Sequence, residues 1–390
     1  MKKLALIIAC CALLIIALFL LLQTKKADQE ISEPEIEKMI GQMIMVGFRG
    51  DGVKNIQDVP YVTELARQGK IGGVILFNTD VERKTVNRNV VDAAQLKTLI
   101  SGLQKAAPIP LFIAVDQEGG QVQRLKPDHG FTRWPYPEDM TRMSDSIVKQ
   151  IGLEMGQELA SVGINLNFAP GVDVNVNPKS PVIGMIGRSF SKSPNIVAQK
   201  AEAFMAGLNE AGIIGCYKHF PGHGSASKDT HKDATDVTAT WKKSELEPYR
   251  ALLGLPGNYG VMAAHVYNRN FGDSYPATLS PAVINGLLRG DLGWSGVLFS
   301  DDMQMRAITA HYSLEEAVRL AVEAGVDVLV YGNNYGYQKN TGERVHAAIS
   351  ALYRAGAISA ERIEASYTRI MSLKAAFGGG LPTKPTKEYD

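Results

Sequence analysis

From residue 42 onward, short apolar runs rich in β-branched residues alternate with longer stretches whose apolar positions recur at helical spacing. The short runs, at 42–48, 71–77, 111–115, 164–169, 213–217, 260–264, 296–300 and 326–331, are predicted strands. Segments 146–162, 194–211, 280–288 and 314–324 read as amphipathic helices. A strand covered on both faces shows a continuous apolar run instead of strict alternation, which is the pattern of a parallel sheet. Eight strand–helix alternations over 34–377 predict an α/β fold, a (β/α)8 TIM-type barrel in one domain. An open doubly wound sheet is the alternative.

A different pattern precedes the barrel. Residues 4–22 form an unbroken apolar run behind Lys2 and Lys3. At ~1.5 Å rise per residue, such a helix spans a hydrocarbon core of roughly 30 Å. Residues 1–23 are therefore expected to be a transmembrane signal anchor, with a cleavable signal peptide or lipidation at Cys10 or Cys11 as alternatives. Residues 24–33 form a polar linker, and the Gly/Pro/Lys-rich residues 378–390 a flexible tail. The short basic start and the large domain behind it place the barrel on the extracytoplasmic face, tethered to the membrane.

Composition narrows the partners. Lys+Arg 41 against Asp+Glu 40 leaves a formal charge of +1, so there is no basic field to gather nucleic acid. Cys216 is the one cysteine outside the apolar run, in a hydrophobic stretch, and reads as a core residue and not as a nucleophile. The barrel has no internal disulfide to form.

Chemistry-bearing residues follow the predicted strands directly: Asp116, Lys218 with His219, His265 and Asp301. In a barrel these positions converge on one rim. The densest stretch, residues 218–231, holds three of the chain's seven histidines (His219, His223 and His231). Pro221 and two glycines forbid a helix there, so His219 and His223 are not a helical zinc pair. A metal site from His219, His223, His231 and Asp116 remains open, as does a polar surface loop. Asp229 and His231 lie two apart on an extended loop, where a carboxylate can fix an imidazole tautomer and raise its basicity for proton transfer. Of the adjacent Asp301 and Asp302, strand alternation sends one into the barrel mouth. Asp301 is assigned the chemistry and Asp302 either the cap of the next helix or a supporting role. Residues 116–124, from Asp116 to Arg124, join carboxylates, amides and a guanidinium in a set suited to sugar hydroxyls. Gly119-Gly120 opens no dinucleotide fingerprint, which argues against a nicotinamide cofactor.

Together and in order, residues 116–124 (DQEGGQVQR), 168–174 (FAPGVDV), 187–190 (GRSF), 218–224 (KHFPGHG), Asp229-Thr230-His231 and 300–303 (SDDM) resemble glycoside hydrolase family 3, in its single-barrel β-N-acetylglucosaminidase branch. The resemblance implies that Asp301 is the nucleophile, His231 the acid/base and Asp229 its partner. It places sugar-binding positions at Asp116, Arg124, Arg188, Lys218 and His219. It implies retaining hydrolysis of terminal N-acetyl-β-glucosaminides by a monomer without metal or cofactor. Behind a membrane anchor, the carbohydrate substrate would be peptidoglycan fragments outside the bacterial cytoplasm. The stretch 182–188 reads about two residues longer than the family's usual one. The rivals are a β-glucosidase specificity, disfavoured by the Asp-x-His loop and the absence of an added α/β sandwich domain, a metal-dependent barrel hydrolase, and an inactive carbohydrate binder.

Overall fold

The computed structural model describes residues 31–50 and 52–375. The apolar run at 4–22, Cys10 and Cys11, most of the linker and the tail at 378–390 lie outside the described residues. Among those described, no helix is long and apolar enough to cross a membrane. In the unit ending at Ile36, Ser32, just before the helix Glu33–Gln42, donates its Oγ–H to the Glu35 carboxylate at 2.6 Å.

The unit Glu37–Asp390 contains eight parallel strands: β1 (Ile44–Val46), β2 (Gly73–Ile75), β3 (Phe112–Val115), β4 (Leu166–Asn167), β5 (Gly215–Phe220), β6 (Tyr259–Ala263), β7 (Leu298–Ser300) and β8 (Leu329–Tyr331). Ladders join β8-β1-β2-β3-β4 and β5-β6-β7. Parallel bridges Leu166↔Ile214 and Phe299↔Val328 complete the circle. The ring is closed, so the barrel expectation holds and the open sheet does not. Every predicted run overlaps its strand, though β5 runs on to Phe220 and β6 starts at Tyr259, beyond the predicted bounds, because burial continues past them.

The interior is packed, not hollow. Phe299 meets Phe112 and Phe168 edge-on at ring distances of 5.8 and 5.3 Å, and all three are fully buried. Each contributes about 1.5–3 kcal/mol by leaving water. Gly260 on β6 makes room for this cluster: a Cβ there would stand 2.5 Å from the Phe299 ring. Cys216 on β5 is fully buried, and burial pushes its thiol pKa up, as a core residue requires.

The helices sit where their periodicity predicted. Asp145–Ser161 starts at the Ser144 cap, whose Oγ accepts from the Ile147 N–H. Leu314–Ala324 runs from the Ser313 cap to the left-handed Gly325, matching the predicted span. The expected helix at 280–288 is a π-helix, Ala282–Asp291. Local pattern does not reveal that winding. Short ribbons lie among the βα loops, including Gln117–Gly119 with Val122–Gln123 after β3.

Candidate active site

The loop after β7 carries Asp301, whose N–H donates to Ala263 O on β6 at 3.1 Å. Its Oδ1 accepts the Asp302 N–H at 2.8 Å. Burial would raise the Asp301 pKa. The imidazoles of His265, His219 and His231 outweigh it, so the carboxylate is held below its usual value. Asp302 takes the supporting role and not the cap. The next helix, Arg306–Thr309, is capped at Met305, and Asp302 Oδ1 instead accepts from Gln304 N at 3.0 Å and Gly332 N at 2.9 Å. The chain makes a tight turn before the helix begins, so Asp302 ties that turn to the end of β8. Burial pushes its pKa to about 6.

Behind this turn stands His265, fully buried after β6. One ring nitrogen meets Thr278 Oγ1 at 2.8 Å and the other Asp302 O at 3.0 Å. It braces the Asp301 loop from the barrel side.

His231 sits on the loop after β5. Asp229 Oδ1 accepts both its backbone N–H at 2.9 Å and its Nδ1–H at 2.8 Å. This fixes Nε2 as the nitrogen free to exchange a proton. Burial lowers the imidazole pKa, but the Asp229 hydrogen bond and the charges of Asp301 and Asp229 outweigh it, and the value is raised. The intervening Thr230 points back, its Oγ1 3.3 Å from Nε2 of His223. His223 is buried and neutral, its pKa pulled to about 4 chiefly by desolvation.

A buried ionic network links β3, the loop after β4, and β5. Lys218 Nζ lies 2.9 Å from Asp116 Oδ1 and 2.7 Å from Glu118 Oε1. Arg124 donates to Asp116 Oδ2 at 3.0 Å. Arg188 grips Glu118 with two bonds, 2.8 and 2.6 Å, and also approaches His219 Nε2 at 3.3 Å. His219 Nδ1 meets Asp173 Oδ2 at 2.7 Å. Register explains how neighbours Lys218 and His219 both join this network. Val261 pairs with Tyr217 but Ala263 with Phe220, so β5 carries an extra residue against β6, which breaks the usual alternation. The stretch 182–188 winds through the turn Gly184–Ile186 and the left-handed Gly187, leaving Met185 exposed and Arg188 in reach of Glu118.

The charges in the network support one another. Burial alone would raise the Asp116 pKa; Lys218 and then Arg124 hold it well below the carboxylate range. Glu118 is held at about 2 against burial, by Arg188 first and Lys218 next. Lys218 is raised, since Asp116 and Glu118 outweigh its desolvation.

Asp116, Arg124, His231 and Asp301 line one cleft of about 200 Å³, with Phe77, Phe168 and Tyr335 among its apolar and aromatic walls. The Tyr335 ring stands 5.6 Å from that of His231, and the Arg124 guanidinium 5.5 Å over Phe77. Arg188, Lys218 and His219 stand behind Asp116, joined to it through Lys218 and Glu118. The structure thus brings every expected site residue to one end of the barrel. The residues of the open metal reading are engaged separately: His219 with Asp173 and Arg188, His231 with Asp229 and His223 with Thr230. Among the described residues, no three potential ligands gather around one point. Glu118, Asp173 and Tyr335 carry parts of the site that residue spacing did not single out. Only Glu118 and Asp173, inside the quoted motifs, left a trace in sequence.

The chain is similar to known proteins along most of its length. Residues 35–373 match the model of the glycosyl hydrolase family 3 N terminal domain. A β-hexosaminidase of Tolumonas auensis is 36% identical over 277 residues, covering 70% of this chain and 78% of that one. A family 3 β-N-acetylglucosaminidase structure from a Paenibacillus strain superposes with a TM-score of 0.78 at 33% identity, covering 90% of this chain and 65% of that one. The β-N-acetylhexosaminidase structure from Beutenbergia cavernae gives 0.77 at 26% identity, over 89% of this chain and 100% of its own.

Proposed function

The chain belongs to glycosyl hydrolase family 3 and is a β-hexosaminidase, a glycosidase acting on N-acetylglucosamine residues, and we propose that it works by a retaining mechanism through Asp301 and His231. The observation that carries this reading is the shared cleft: a carboxylate held ionised and an imidazole oriented by its own aspartate line the same small cavity.

In the first step Asp301 attacks the anomeric carbon while the His231 imidazolium protonates the departing glycosidic oxygen. In the second, neutral His231 takes a proton from water, which attacks the same carbon and frees Asp301. Asp229 stabilises the imidazolium between the two, as the orienting carboxylate does in a hydrolase triad. The Asp116 carboxylate and the Arg124 guanidinium offer acceptor and donor to sugar hydroxyls, with Lys218, His219 and Arg188 completing the sugar subsite. Drug-sized pockets run to about 300–1,000 Å³; a cleft of about 200 Å³ fits a single sugar ring, and so removal of a terminal residue.

The decisive assay is hydrolysis of a chromogenic N-acetyl-β-glucosaminide beside a β-glucoside. His231→Ala should lose about 10²–10⁴-fold in rate, and Asp301→Ala should lose at least as much. Near wild-type turnover by Asp301→Ala would overturn the nucleophile assignment. Preference for the β-glucoside would move the specificity.

The apolar run at 4–22 supports a second part of the proposal, that the barrel is held outside the bacterial cytoplasm at the inner or plasma membrane and meets peptidoglycan fragments as a monomer. Protease added to intact cells should release or degrade the barrel; complete protection would rule out export.

A further inference from the structure

Asp173 and Arg188, which hold His219 and Glu118, are followed in the chain by Val174 and Ser189. Those two line a groove of about 510 Å³ that shares no lining residue with the catalytic cleft. The two segments are laced together. Ser189 Oγ donates to Asp173 O at 2.6 Å, and the Asn175 N–H to Ser191 O at 2.9 Å.

Three cations meet at this groove from three different connections. Arg142 comes from the one after β3, Lys192 from the one after β4 and Lys242 from the one after β5. All three residues are exposed, and none forms an ion pair among the described residues. One lining carboxylate, Glu138, stands against them, so the groove is net cationic. Lys192 also lies two residues before the helix Pro194–Glu210, whose N-cap Ser193 gives the first turn no side-chain bond. The positive end of that helix adds to the same field.

One polar group in the groove is left unanswered. Asn175 Oδ1 is buried with no hydrogen-bond partner among the described residues, a cost that a ligand hydroxyl would remove. Ser191 Oγ accepts the Ser193 N–H at 3.1 Å and keeps its own proton to donate. Val174, Val176 and Phe190 add apolar wall. The volume exceeds that of a bare anion and falls in the range of small-ligand pockets, roughly 300–1,000 Å³. Cations on separate loops suit a phosphoryl group, with three acceptor oxygens and a charge of about −1.5 to −2, better than a planar carboxylate of single charge.

We propose that this groove binds a phosphate ester of a polyol. Arg142, Lys192 and Lys242 surround the phosphoryl group, and Asn175 accepts from a neighbouring hydroxyl. The site goes beyond the hydrolase reading and does not depend on it.

The test is calorimetric titration of the full chain, in detergent, with glycerol 3-phosphate. Saturating N-acetylglucosamine is present throughout, to cover the cations of the catalytic cleft. The ester should bind saturably and more weakly as NaCl is raised, with inorganic phosphate weaker than the ester and glycerol silent. Arg142→Ala, Lys192→Ala and Lys242→Ala should each weaken the ester about two- to fivefold, and the triple variant should abolish binding. Their thermal unfolding without ligand should match wild type, since the three side chains are exposed. Asn175→Ala should bring the ester and inorganic phosphate together. A glycerol phosphodiester oligomer, titrated in parallel, distinguishes the source: tighter binding than the monoester assigns the site to a polymer, weaker binding to a free small molecule, and either supports it. No saturable binding to wild type, binding seen only without N-acetylglucosamine, or a triple variant that binds as wild type does overturns the site. Equal affinity of wild type for the ester and inorganic phosphate overturns the polyol assignment.

Discussion

Lys218 and Lys374 are both buried, at opposite ends of the same barrel, and their surroundings push them in opposite directions. Lys218, on β5 near the rim, has two carboxylate oxygens at 2.9 and 2.7 Å, and its pKa is raised. Lys374 closes the helix Ala360–Lys374 and reaches the strand starts, donating to Gln42 Oε1 and Gly72 O at 2.8 Å and to Pro110 O at 2.6 Å. It has no carboxylate partner among the described residues, and burial pulls its pKa well below the usual lysine value. One lysine therefore anchors a set of fixed charges beside the cleft. The other is a clasp that ties the last helix to β1–β3. Burial of a charge marks function only where counter-charges are assembled around it and face a cavity.

The largest effect should come from breaking the rim network. Lys218→Met strands Asp116 and Glu118 beside only their arginines, and removing one member of a buried ion cluster costs about 3–5 kcal/mol. Urea unfolding should show that loss, together with reduced hydrolysis by the protein that remains folded. A variant as stable and as active as wild type would erase the distinction between the two lysines.

The opposite end should answer differently. Lys374→Met leaves Gln42 Oε1 and Pro110 O without this donor, while Gly72 O keeps the Phe112 N–H at 2.9 Å, a loss of about 1–3 kcal/mol, with kcat/KM per folded molecule unchanged. The pH dependence carries a sign. A lysine pKa depressed by folding contributes stability above its unfolded value, about 10.4, and that contribution is lost as pH falls towards the depressed value. Wild type should thus gain stability as pH rises towards the lysine range, and the Met variant should lack that slope. A fall in hydrolysis with the fold intact would show the clasp reaching the site.

Sequence made the barrel legible because each of its strands has a buried apolar run, and because Asp116 and Asp301 directly follow strands while Lys218 and His219 lie at the end of one. It could not show pairings that join residues 46–102 positions apart, such as Asp173 with His219 or Asp116 with Lys218. Nothing in local spacing encodes them. Sequence left Asp302 between cap and support for a related reason: the partner that decides it, Gly332, belongs to another strand's end. His265 followed a strand as expected, but its role as a brace depends on Thr278 and Asp302 together. The motif residue Arg188 was visible, whereas the turn that delivers it depends on Gly187 adopting φ 64.

The Asp229–His231 pair sharpens the comparison from a third position, since it lies at the rim but is not fully buried: the His231 side chain is 41% exposed. A pair so placed contributes about 0–1 kcal/mol to stability, so Asp229→Asn should unfold close to wild type. Its effect should appear in the proton instead. Glycosylation needs His231 protonated, so kcat/KM falls as pH rises through the His231 pKa. Asp229 supplies the largest of the influences that raise that pKa, and an amide keeps the hydrogen-bonding oxygen while removing the charge. The alkaline limb of the pH–kcat/KM profile should therefore move to lower pH in Asp229→Asn. The Asp301 charge still acts on the ring, so the shift should be partial. A limb that stays in place would mean that His231 is not the acid, or that its proton is held by something other than Asp229.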